Sequence, residues 1–224
     1  MAERTTIIDF VEKYTHQFAD HVYLREKVNG EWKAITQQET REQAYRIGAG
    51  LMALGLQKGE KIALLSESRA MWVLAELGAM YAGATDVPLS VNLGEGADLV
   101  FRINHSESKW ILVSGNHLPK IRAVLGECPQ VEKVIVFDDT AFDYDTLQEK
   151  EIRMSEIQRM GDAFLSSHKD EFVARFRSIG PDDYANISYT SGTTADPKGI
   201  LLTHRNYIYN NVKYTRRAIT SLAD

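Results

Sequence analysis

Strands and helices alternate twice between residues 61 and 137, and that alternation restricts the fold more than any other feature of the chain. Lys61-Ile62-Ala63-Leu64-Leu65-Ser66 is a short run, apolar at adjacent positions and so suited to burial on both faces of a sheet. Ser68 is placed to cap a helix carrying Trp72, Ala75, Ala79 and Met80, which is predicted to end near Gly83. Thr85-Asp86-Val87-Pro88-Leu89 reads as the next strand, with Pro88 marking its exit. A unit of about 30 residues in this order packs as a right-handed βαβ. A second unit follows, with a strand from Trp110 to Ser114, a helix from Pro119 to Gly126 and a strand from Lys133 to Phe137. Two such units in series predict an α/β fold, a parallel sheet covered by helices on both faces.

Residues 1–58 read as a hairpin and a capped helix. Ile7, Ile8, Phe10, Val11 and Tyr14 suggest a short amphipathic helix before them. Val22–Val28 and Glu31–Ile35 flank Asn29-Gly30, a pair that tolerates positive φ at both turn positions and so predicts a tight β-hairpin. Thr36-Gln37-Gln38-Glu39 is a capping box, Ala44, Ile47, Leu51 and Leu54 form one apolar face, and Gly55 suits the C-terminal cap. Residues 139–183 change character: an acidic opening gives way to Ile157, Met160, Phe164 and Leu165 at helical spacing, then Phe172 and Phe176. This tract is expected to be a solvated helical excursion between two sheet strands, stopped at Gly180-Pro181. Asp138-Asp139, Asp143 and Asp145 read as solvated acidic turns, and Trp32, Trp72 and Trp110 as core or interface aromatics.

Charge and cysteine usage narrow the function classes. A formal net charge of −5 over 224 residues argues against a general nucleic-acid binder. No apolar run approaches the ~20 residues that span a bilayer, so no transmembrane segment is expected, while peripheral contact with a membrane stays open. The single cysteine, Cys128, cannot close an internal disulfide, which fits a cytoplasmic protein. His105 and His117 lack metal-ligand spacing.

The chemistry concentrates at residues 184–224. Ala185, Ile187 and Tyr189 alternate as in a half-buried strand, which empties into Thr190-Ser191-Gly192-Thr193-Thr194-Ala195-Asp196-Pro197-Lys198-Gly199. Hydroxyls and backbone N–H groups donate to phosphate oxygens, glycine lets the chain come close, and lysine supplies a point charge. Counting from Gly192, Lys198 falls where a Walker-type loop has its lysine, but Pro197 replaces the second glycine and Gly199 the magnesium-binding hydroxyl. Ile200-Leu201-Leu202-Thr203-His204 then reads as an apolar, partly β-branched run rather than a helix start, which argues against a Walker NTPase. On the residues alone, a polyphosphate cradle and an ordinary Ser/Thr/Gly-rich turn both stand. Asn206 to Ile219 reads as a helix.

Tyr189 to Gly199 closely resembles the phosphate-loop signature of the adenylate-forming (AMP-binding) superfamily, which includes acyl-CoA synthetases, luciferases and peptide-synthetase adenylation domains. The family's usual form is Tyr-Thr-Ser-Gly-Thr-Thr-Gly-x-Pro-Lys-Gly, and this chain differs only at Ala195. The Gly59–Leu65 strand, the Trp72 helix, Gly83-Ala84 running into Val87-Pro88-Leu89, and Pro181-Asp182-Asp183 look like the opening of long-chain acyl-CoA synthetases. After Pro88 relatives often carry Tyr and Thr, whereas this chain reads Leu89-Ser90-Val91-Asn92-Leu93.

The resemblance implies the N-terminal part of a large AMP-binding domain, from an enzyme that activates a fatty, long-chain carboxylic acid with ATP as an acyl-adenylate and transfers it to coenzyme A. It assigns Thr190, Ser191, Thr193 and Thr194 to the β- and γ-phosphate oxygens, Gly192 to close approach and Lys198 to neutralising the departing pyrophosphate. Magnesium (Mg2+) would be shared with a glutamate beyond these residues, as would the adenine contacts, acyl tunnel and catalytic lysine, so these 224 residues alone are expected to be inactive. His204 matches a Thr-His pair common in the family and is read as a structural, hydrogen-bonding histidine. Ala195 is expected at negative φ, because Asp196-Pro197 already restricts the neighbouring backbone. Two alternatives remain: a peptide-synthetase or aryl-acid adenylation domain, or, for a chain that ends at Asp224, a non-catalytic nucleotide-binding or interaction module.

Overall fold

The structure, a computed structural model, describes residues 5–137, 147–190 and 197–210. A two-stranded hairpin, β1 (Val22–Val28) and β2 (Glu31–Thr36), sits beside a seven-stranded sheet in the order β7-β6-β5-β3-β4-β8-β9. Its strands are β3 (Lys61–Leu65), β4 (Thr85–Leu89), β5 (Ser108–Val113), β6 (Lys133–Val136), β7 (Glu151–Arg153), β8 (Tyr184–Thr190) and β9 (Lys198–Thr203). All neighbours pair in parallel except β8 and β9, so the sheet is mixed, with the predicted parallel βαβ units at its centre.

The central strands bury both faces, as parallel strands under two helical layers do. On one face Ile62, Leu64, Trp110, Leu112 and Ile135 pack beneath α2 (Gln37–Ala53), α3 (Ala70–Tyr81) and α6 (Met154–Arg177). On the other, Ala63, Leu65, Val87, Ile111, Val113, Val134 and Val136 pack beneath α4 (Ala97–His105) and α5 (Leu118–Val124). The period-two alternation of strand side chains produces this division directly.

Local signals hold where they are stereochemical. Asn29 and Gly30 turn the hairpin with φ of 52° and 87°. The Thr36 hydroxyl accepts from the Glu39 N–H at 3.2 Å while the Glu39 carboxylate accepts from the Thr36 N–H at 2.8 Å, closing the capping box of α2. Thr6 and Asp9 close the same box on α1 (Ile7–Gln17).

Three expectations need correction. Ser68 does not cap α3: Arg69 holds the N-cap position without a side-chain cap, and a Glu26 carboxylate from the hairpin accepts the Ala70 N–H at 3.2 Å. Residues 139–183 are not a purely helical excursion, because Glu151–Arg153 adds β7 beside β6. Nor is α6 simply solvated. Phe172 and Ile157 are fully buried, and Gly161 lies against α2 so closely that a Cβ there would fall 1.8 Å from the Arg46 carbonyl oxygen. Glycine at 161, and at 50 opposite Ile157, lets the two backbones touch. A non-helical His168 (φ −132°) divides α6 between its two apolar segments. Trp110 is core at 2% exposed, but Trp32 is 69% exposed and packs in no core.

Asp138 and Asp139, with Asp143 and Asp145, lie outside the described residues, as does most of the helix expected from Asn206 to Ile219. Its opening is described: helix α7 (204–210) starts from Thr203, whose hydroxyl accepts from the Asn206 N–H while the Asn206 side chain accepts from the Thr203 N–H. β9 forms one edge of the sheet, with Ile200 and Leu201 exposed.

Candidate functional site

β8 runs parallel to β4, so its carboxyl end reaches the edge of the sheet where β3, β4 and β5 also end. Open α/β sheets bind ligands outside that edge. The chain returns as β9, antiparallel to β8, with Thr190 opposite Lys198 and Tyr189 opposite Gly199. Directly opposed residues of such a ladder project to the same face. Thr190 and Lys198 therefore stand side by side at the two ends of the segment 191–196, both exposed. No acidic partner pairs with Lys198 among the described residues. Ser191, Gly192, Thr193, Thr194 and Ala195 lie outside the described residues. A strand, not a helix, follows Lys198, which separates this geometry from a Walker loop.

Two contacts steady the exit of β8. The Tyr189 hydroxyl sits 2.8 Å from Nδ1 of His105 at the end of α4, and the Arg102 guanidinium lies 5.7 Å from the Tyr189 ring centre. The same ring crowds residue 199, where a Cβ would come within 3.3 Å of the Tyr189 ring and 3.2 Å of Ile187. His204 is buried and its Nδ1 accepts from the Ile7 N–H at 3.4 Å, the structural role expected of it.

Two polar groups escaped the sequence reading. Beneath β8, Asn186 is the ladder partner of Asp86, and its amide donates to the Asp86 carboxyl at 3.4 Å. Asp86 is fully buried and hydrogen-bonds Glu76 of α3. Burial and the neighbouring carboxylate push Asp86 well above the usual carboxylate range, and burial pushes Glu76 up to about 7. Asp86 Oδ1 has no hydrogen-bond partner among the described residues, which adds to the cost of charging this carboxyl. The second group lies past the ends of β3 and β5, whose following helices cover opposite faces. There Glu67 accepts from the Ser114 hydroxyl at 2.6 Å and the Asn116 amide at 3.2 Å. Burial raises the Glu67 carboxyl, but the Ser114 bond, a bond from its own backbone N–H and the Arg69 charge outweigh it and hold the group below its ordinary value.

These features agree with comparison to known proteins. Residues 11–223 match the family model described as AMP-binding enzyme. The chain belongs to that family. It is 30% identical over 190 residues to fatty acyl-CoA synthetase A of Dictyostelium discoideum, covering 83% of this chain and 27% of that protein. It is also 30% identical over 210 residues to the peroxisomal long chain acyl-CoA synthetase 6 of Arabidopsis thaliana, covering 92% of this chain and 29% of the relative. Less than a third of each relative's length is therefore represented. Among solved structures, an anthranilate CoA ligase in complex with anthranoyl-AMP superposes with a TM-score of 0.73 at 21% identity, over 92% of this chain and 36% of the other. The fold is that of the adenylate-forming enzymes, with a mixed sheet and surrounding helices.

The described residues suit the phosphate end of ATP: a hydroxyl and an ammonium, both exposed, both donors. Among the described residues no group of three or more His, Cys, Asp or Glu is placed to hold a metal ion by itself.

Proposed function

We propose that this chain supplies the phosphate-gripping part of an ATP-dependent ligase for long-chain fatty acids and coenzyme A, as the N-terminal part of its large AMP-binding domain. The observation that carries the reading is the pairing of Thr190 with Lys198 across the β8–β9 ladder, at the carboxyl edge of a sheet of the AMP-binding family. The fatty acyl substrates named for the relatives support the choice of acid.

In this reading a fatty carboxylate oxygen attacks the α-phosphorus of ATP, the bond to the bridging oxygen breaks, and pyrophosphate leaves. The coenzyme A thiol then attacks the acyl carbon, loses its proton to solvent or base, and expels AMP. Neither step needs a covalent bond to this chain; positioning and charge neutralisation do the work. Thr190, with Ser191, Thr193 and Thr194, donates to the β- and γ-phosphate oxygens, Gly192 permits close approach, and Lys198 neutralises the pyrophosphate as it departs. Magnesium, when bound, would offset phosphate charge further. Tyr189, held by His105, keeps β8 in register with Lys198.

The test is acid-dependent ATP–pyrophosphate exchange, run on the full gene product and on residues 1–224, with long-chain fatty acids, aryl acids and amino acids. Exchange stimulated by long-chain fatty acids in the full gene product supports the reading. Stimulation by aryl or amino acids alone contradicts the substrate class, and a full exchange rate from residues 1–224 contradicts the division of the active site.

A further inference from the structure

The β1–β2 hairpin separates its charges between two faces. The register pairs Arg25 with Ala34 and Lys27 with Trp32, so these four residues share one face. Leu24, Glu26, Val28, Glu31, Lys33 and Ile35 share the other. The second face turns inward: Leu24 packs against the core and Glu26 caps α3. The outward face of the ladder carries two cations, an indole and a methyl group, with Glu26 and Glu67 reaching only the hollow at its margin toward α3. Neither Arg25 nor Lys27 has an ion-pair partner among the described residues.

Trp32 is the most exposed large apolar side chain described, at 69%. A hollow of about 660 Å3, lined by Arg25, Trp32 and Ala34, lies open over this face. In water the two cations are hydrated, but the indole keeps most of its ring exposed. In the headgroup layer of a bilayer, an indole buries its ring and keeps its N–H wet, while Arg and Lys lay their stems on the apolar region and reach phosphate.

We propose that the outward face of this hairpin docks on an anionic lipid bilayer, with Trp32 entering the interface and Arg25 and Lys27 meeting lipid phosphates. The surface rests on the hairpin alone and is independent of the phosphate-loop reading. A nucleic acid fits less well, because two cations release few counterions from it and only a bilayer interface takes up the indole. Each cation near an anionic leaflet raises partitioning about fivefold, so the pair contributes roughly thirtyfold.

The experiment is flotation of the protein with phosphatidylcholine vesicles, with and without phosphatidylserine, alongside tryptophan emission and its quenching by brominated lipid. The proposal expects partitioning that requires phosphatidylserine, falls with salt, and drops roughly thirtyfold in Arg25→Gln/Lys27→Gln. It also expects a blue-shifted, quenchable emission that disappears in Trp32→Phe, a variant that keeps Trp72 and Trp110 as internal references. These side chains are exposed, and circular dichroism should show all variants folded. Absence of partitioning into phosphatidylserine vesicles overturns the proposal. So does partitioning with Trp32 emission unchanged, or stronger retention on heparin or oligonucleotide than on vesicles.

Discussion

Replacing Glu76 by Gln removes one carboxyl from the buried pair while preserving its shape and its ability to accept from Asp86. In the folded protein burial lifts Glu76 from 4.5 to about 7. In the unfolded chain it returns to its ordinary value. Below pH 4.5 both states hold the proton, and the site costs nothing. As pH rises from 4.5 to 7 the unfolded chain releases its proton first, so the folded state loses stability progressively and levels off above pH 7. A difference of about 2.5 pKa units corresponds to at most about 3 kcal/mol. Glu76→Gln should therefore stabilise the protein by up to about 3 kcal/mol at pH 8 and by almost nothing at pH 4.5. Asp86 on β4, Tyr23 on β1 and Tyr207 on α7 face the same carboxyl, and the phenols stay neutral throughout this range because burial and the carboxylate push both up. The assay is urea denaturation at pH 4.5, 6 and 8 on wild type and variant. A stabilisation independent of pH, or a variant less stable at pH 8, would refute the reasoning.

Three further outcomes follow from single contacts. Gly161→Ala drives a methyl into the Arg46 carbonyl and should cost about 3 kcal/mol, read as a lower denaturation midpoint, while substitution at open Gly126 should not. Tyr189→Phe removes the 2.8 Å bond to His105 and should cost about 1 kcal/mol, with looser retention of ATP because β8 is less firmly held. In the full gene product, Lys198→Ala should slow acyl-adenylate formation far more than thioester formation from pre-made acyl-adenylate. Equal slowing of both half-reactions would remove Lys198 from the pyrophosphate.

Legibility in the sequence followed the range of the interaction. Asn29-Gly30, the Thr36–Glu39 capping box and the apolar runs at 61–66 and 110–114 declare their structure because the forces are local: positive φ, an orphan N–H, burial of both strand faces. The strand before the loop was legible from its alternation, but the pairing of Thr190 with Lys198 was not, because the run after the loop showed only that no helix starts there. β7 was invisible because three residues with one aliphatic, Ile152, carry no period. The α2–α6 contact was invisible because Gly50 and Gly161 look like any helical glycine until two backbones meet. Asp86 looked like a polar residue on a strand; only the sheet order sets it beside Asn186, and only the packing of α3 brings Glu76 to it. Ser68 failed as a cap because a distant residue, Glu26, had already taken the N–H.

The central claim is that the β8–β9 turn grips phosphate rather than forming an ordinary surface loop. Calorimetric titration of the protein with ATP, tripolyphosphate and adenosine tests it without requiring turnover. The account predicts that tripolyphosphate binds within a few-fold of ATP and competes with it, and that adenosine binds far more weakly. Lys198→Ala should weaken both polyanions roughly tenfold while leaving the fold intact, the loss expected for one charge-assisted hydrogen bond. Binding of adenosine as tight as ATP, or polyphosphate binding unaffected by Lys198→Ala, would contradict it.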